Sequence, residues 1–98
     1  MNIIVGNPPN IREIRTFLPE DPNAVYCYGE NIYNPSGKEI PPDILLHETI
    51  HQRQQAENPK VWWYRYLRDQ HFRYEQELEA FAVQYAFVKK NALSKVSK

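Results

Sequence analysis

Cysteine and methionine each occur once in this 98-residue chain, and glycine three times. One thiol, Cys27, cannot close a disulfide within the chain, which fits a reducing cytoplasm. Nothing around Cys27 marks a nucleophile's triad, so it reads as a small strand residue. Net charge is zero, so no overall field recruits nucleic acid or a membrane surface. No apolar run approaches a membrane span. Residues 1–9 lack the basic start and apolar stretch of a secretory signal. The expected location is therefore the cytoplasm.

The length suits one domain, residues 1–98, with a single modest core. All eight prolines lie in residues 1–59. That half carries four Lys/Arg against eight Asp/Glu, and residues 60–98 carry eight against four. The chemistry-bearing residues straddle this divide, which argues for one domain folding back on itself.

Asn2–Val5 reads as a strand, stopped by Gly6-Asn7-Pro8-Pro9. Asn10 is placed to cap a helix over Ile11–Leu18. Ala24–Tyr28 and Ile32–Asn34 have strand composition, with Gly29-Glu30-Asn31 as a hairpin turn. Pro41-Pro42-Asp43 opens a helix, with Asp43 as N-cap, that stops at Asn58-Pro59. A short aromatic helix over Lys60–Leu67 and a long one over Gln70–Asn91, capped by Asp69, follow. The tail Ser94–Lys98 is expected to fray. On the long helix Tyr74, Leu78, Phe81, Tyr85 and Val88 form an apolar stripe, the expected buried face. The sum is an α+β domain: a small antiparallel sheet, a backing helix, and two helices carrying the chemistry.

Residues His47-Glu48-Thr49-Ile50-His51 spell HExxH. Two histidines four apart project from one helical face and can grip one zinc ion. Glu48 then leans toward the metal's open side as general base. A catalytic zinc takes three protein ligands and keeps a fourth position open. The metzincin extension is excluded, because Gln54 and Glu57 stand where it needs glycine and histidine. The long helix offers candidates for the third ligand. At 100° per residue, Glu77 sits about 70° from the centre of the apolar stripe, Glu75 about 90° and Glu79 about 130°. Glu77 is the preferred third ligand, helped by small Ala80 beside it. Glu75, Glu79 and His71 remain as alternatives.

The segments His47–Gln55, Trp62–Leu67 and Phe72–Gln84 together resemble the gluzincins. The likeness is to minimal single-domain metallopeptidase-like proteins of bacterial and phage genomes, and covers residues 43–88. It rests on HExxH, nearby Gln54, and the later Glu77-Leu78-Glu79-Ala80. The resemblance implies a compact zincin-like fold and a Zn2+-dependent hydrolase acting on a peptide or protein substrate. His47, His51 and Glu77 would be its ligands and Glu48 its base. Several related enzymes carry an acidic residue four after the ligand glutamate. That position is Phe81 if Glu77 is the ligand and Glu79 if Glu75 is. The resemblance also suggests a substrate lying along an edge strand, for which Ile32–Asn34 is the candidate. His71, Tyr64, Tyr66 and Tyr74 are candidate oxyanion donors.

Two other readings compete. The same ligands would serve a latent zinc-binding protein without turnover. Residues 60–73 also interleave Trp62, Trp63, Tyr64 and Tyr66 with Lys60, Arg65, Arg68 and Arg73, a composition that can stack bases and hold phosphates. In so small a domain, aromatics more often build the core, so nucleic acid is the less favoured partner.

Overall fold

The computed structural model describes residues 2–96. Their elements are β1 Asn2–Ile4, α1 Ile11–Phe17, β2 Tyr26–Tyr28, β3 Asn31–Tyr33, α2 Pro42–Gln55, α3 Pro59–Arg68 and α4 Gln70–Val96. The class is α+β.

The sheet is mixed, not antiparallel as the strand spacing suggested. Its order is β1-β3-β2, with β3 in the centre. β2 and β3 form the expected antiparallel hairpin, with Cys27 opposite Ile32. Gly29 takes φ 63° in the two-residue turn, a left-handed value that suits glycine. β1 runs parallel to β3, with Ile3 opposite Ile32. A tight turn would force antiparallel pairing, but α1 and β2 intervene between β1 and β3 and let the chain return in the same direction. Because β3 is paired on both sides, Ile32–Asn34 offers no free edge to a substrate. The outer edges are β1 and β2.

Proline and asparagine set the helix boundaries. α2 begins at Pro42, with Pro41 in the cap position. Proline tolerates the first turn because its missing N–H would be orphaned there anyway. Asp43 is therefore inside the first turn and is not the N-cap expected from the sequence. α2 ends earlier than Asn58, at Ala56, whose φ of 50° turns the chain out of the helix. Asn58 instead caps α3, its side chain accepting from the Val61 N–H at 3.2 Å. Asp69 does the same for α4, accepting from the Phe72 N–H at 3.0 Å. Asn10 holds the cap position of α1 without a side-chain cap bond. α4 continues past Asn91 to Val96, so it includes part of the tail expected to fray. Residues 97–98 of that tail lie outside the described residues.

Ile14 of α1 and Trp62, Trp63 and Leu67 of α3 form the main core, with Leu18, Tyr26 and Phe72 packed against it. Both indole N–H groups are bonded. Trp62 donates to Gln76 Oε1 at 2.9 Å, and Trp63 donates to the Cys27 carbonyl at 3.0 Å. These tryptophans are interior, where no base can stack on them.

α4 meets α2 on an unexpected face. Tyr74, Leu78, Phe81, Tyr85 and Val88 are all exposed. Ala80 is fully buried instead, and the stripe's centre lies roughly 120° around the helix from it. The buried side of α4 carries Gln76, Glu77 and Gln84, which reach residues of α2 and α3. The helix is rotated by those polar contacts rather than by its greasiest stripe.

Gln55 ties α2 to the sheet. Its Nε2 donates to the Cys27 carbonyl at 2.7 Å, and its Oε1 accepts from the Gly29 N–H at 2.8 Å. Gln55→Leu keeps the volume, strands the Gly29 N–H and leaves the Cys27 carbonyl with the Trp63 indole alone. Urea unfolding should show a loss of about 2 kcal/mol; a loss under about 0.5 kcal/mol, the range of a neutral surface change, would show that the tie is dispensable.

Candidate metal centre

The four-residue spacing of His47 and His51 places both rings on one face of α2, and both are buried. α4 packs along α2 with small Ala80 fully buried between the residues that reach across, and a small side chain there permits close helix approach. Three residues earlier, one helical turn, Glu77 reaches across. His47, His51 and Glu77 each offer one ligand atom, and these atoms lie within 4.8 Å of one another. His47 Nε2 is 3.1 Å from His51 Nε2 and 3.4 Å from Glu77 Oε1. His51 Nε2 touches Glu77 Oε1 as well. The group can hold a metal ion.

The far side of each ring settles its tautomer. Gln84 donates from Nε2 to Asp43 Oδ2 at 2.8 Å, which turns its Oε1 toward His47. An amide oxygen only accepts, so His47 Nδ1 donates to it, at 2.8 Å. Gln54 is fixed likewise. Its Nε2 donates to the Gln76 carbonyl and to Glu79 Oε1, both at 2.9 Å. Its Oε1 therefore accepts from His51 Nδ1 at 2.8 Å. With both Nδ1 atoms donating, each neutral ring points an Nε2 lone pair at the other and at a carboxylate. Only a positive species between them relieves that arrangement. A proton can bridge one pair; a metal ion satisfies all three donors. Glu77 Oε1 is buried and has no hydrogen-bond partner, as a ligand atom would be.

Charge states follow the same packing. Burial alone would raise the Glu77 carboxyl, but with the imidazoles protonated their hydrogen bonds and charge overcome it and hold it at about 2. Burial tends to lower His51, yet Glu77 and Gln54 bring it above its usual value. Glu48 is buried beside the group and is pushed up to about 7 by desolvation, against the pull of both histidines. It lines a cleft of about 410 Å3 together with His47 and Phe81. An adjoining cavity of about 120 Å3 is bordered by Glu48, all three candidate ligands and Tyr66.

The other sequence candidates lie elsewhere. Glu75 is exposed and pairs with exposed His71 at 3.4 Å. Glu79 does not converge on the histidines and serves Gln54 instead. Tyr64 and Tyr74 are exposed, and neither borders the cavity that holds the three ligands. Cys27 is a buried strand residue whose thiol is pushed up to about 12 by desolvation and nearby Glu48. The roles of Gln84 and Asp43 were missed. Gln84 stands seven residues after Glu77, on the same helical face, and that spacing is the signal that could have found it.

The chain matches no family model, no curated protein and no solved structure.

Gln84→Leu should leave the fold intact, release the His47 ring and weaken metal binding by about 10- to 100-fold. Titration with Co2+, followed by its visible absorption, measures this. Unchanged affinity would show that the amide does not orient the ligand.

Proposed function

We propose that this chain is a zinc-dependent metallopeptidase of the gluzincin kind. The observation that carries the reading is the convergence of His47, His51 and Glu77 beside a buried Glu48 at the edge of a cleft. Two imidazoles and a carboxylate suit zinc. A tetrahedral zinc with bonds of about 2.0–2.1 Å sets its ligand atoms about 3.3 Å apart. The His47–His51 and His47–Glu77 separations of 3.1 and 3.4 Å support that fit, while His51 and Glu77, in direct contact, would part to admit the ion.

Bound zinc supplies a Lewis acid that brings a water's pKa toward neutrality and polarises a carbonyl. The chain's own groups do the rest. Glu48 accepts a proton from the attacking water and passes it to the leaving amine. Its burial keeps it from being levelled by bulk solvent. Tyr66 borders the cavity that holds the three ligands, and burial holds its phenol above the ordinary value, so it stays a hydrogen-bond donor. It is the best-placed candidate to donate to the oxyanion. Ala24 and Val25 lead into the outer strand β2 and line the cleft with His47 and Glu48. The outward Cys27 carbonyl and Gly29 N–H are taken by Gln55 and Trp63, so an extended peptide would pair with the Ala24–Val25 segment ahead of them, beside the catalytic groups.

Glu48→Gln should retain one zinc per chain by mass spectrometry and lose cleavage of a peptide library. Retained cleavage would remove the general-base role, and absence of zinc from the wild type would remove the reading itself. Tyr66→Phe should lower kcat by about 100-fold with KM unchanged; a change confined to KM would place the phenol in substrate binding instead.

A further inference from the structure

We infer that the chain forms a two-fold dimer in which α4 lies antiparallel against α4 of a second copy. Tyr74, Leu78, Phe81, Tyr85 and Val88 follow one another at spacings of four, three, four and three. That is the heptad seam of a two-stranded coiled coil. These five side chains are 46–68 % exposed, an apolar patch of roughly 600 Å2. A patch of that size is at the upper end of what a monomer leaves uncovered. It approaches the roughly 800 Å2 per partner of a standard interface.

The surface is shaped for a helix. A groove of about 330 Å3 is lined by Phe81, Gln84, Tyr85 and Val88. Those residues stand at i, i+3, i+4 and i+7, the four-residue hole that receives one knob from a facing helix. α2 occupies a different face of α4, around buried Ala80, so it leaves the seam open.

Charge selects the occupant and its direction. On the outer flank of the seam stand Glu75 and Lys89, seven residues before and after Ala82, with His71 one turn before Glu75 and paired with it at 3.4 Å. In an antiparallel pair with its two-fold axis beside Ala82, Glu75 of each copy faces Lys89 of the partner subunit. The patch is then complementary to itself, as a two-fold interface requires. Small Ala82 at the axis lets the backbones approach. A parallel pair would instead put the two copies of Glu75, and those of Lys89, on opposite sides of the seam, facing uncharged Gln70 and Gln84, and would form no such pair. The second copy would also border the cleft at Phe81, supplying a wall that this small domain lacks. The inference does not depend on the metal.

Sedimentation equilibrium on the full chain tests it. The wild type should reach twice the monomer mass. Leu78→Glu, at an exposed position of the seam, should give monomer with unchanged circular dichroism. Glu75→Lys and Lys89→Glu should each weaken the dimer. An equimolar mixture of the two should restore it, because each variant then meets opposite charges on the other. A monomer at every loading concentration, or a dimer indifferent to Leu78→Glu, would overturn the proposal. Failure of the mixture to recover would overturn the antiparallel arrangement.

Discussion

Glu77 and Gln84, on either side of buried Ala80, join α4 to α2, and the metal group depends on that junction. A larger side chain at that point would hold the helices apart, and Glu77 would no longer reach His47 and His51. The approach brings polar groups into a largely buried junction, where each must find a partner or cost stability. Gln54 and Gln84 meet that demand. Each amide spends its N–H groups on fixed acceptors and offers its oxygen to a histidine. The two amides bind the helices together and at the same time aim the imidazoles.

This polar junction also accounts for the exposed seam. A helix has one rotation about its axis, and α4 uses it to bring Gln76, Glu77, Ala80 and Gln84 inward. Tyr74, Leu78, Phe81, Tyr85 and Val88 are then carried outward. Hydrophobic burial would favour the opposite rotation if α4 had only one neighbour. The exposed seam is therefore a consequence of building the metal group on the other side. The core is anchored elsewhere, by the tryptophans of α3 against α1 and β2. Their indole N–H groups bond to Gln76 and to the outer edge of β2, which links the core to α4 and to the sheet.

Features set by neighbours along the chain were legible before any fold was known. HExxH depends on helical spacing alone, and the caps at Asp69 and the hairpin turn at Gly29 are equally local. The α+β class followed from the order of strand-like and helix-like segments. The third candidate ligand was harder. Glu77 was favoured as the carboxylate nearest the apolar stripe and as the one with Ala80 beside it. The structure supports the second ground and not the first, since the stripe faces outward. Ile32–Asn34 was placed at an edge because nothing local reveals that β1 returns to cover it.

By itself, the sequence determined which groups are available and how they are spaced along each helix: two imidazoles on one face of α2, three carboxylates within a turn and a half of α4, one thiol, and a seam with heptad spacing. Periodicity is a property of the chain and needs no partner. Only the tertiary structure decided which carboxylate meets the histidines, which amides orient them, and which face of α4 is left open. Those outcomes depend on the rotation and closeness of two helices, fixed jointly by Ala80 and the hydrogen bonds across it, and no single segment carries that information.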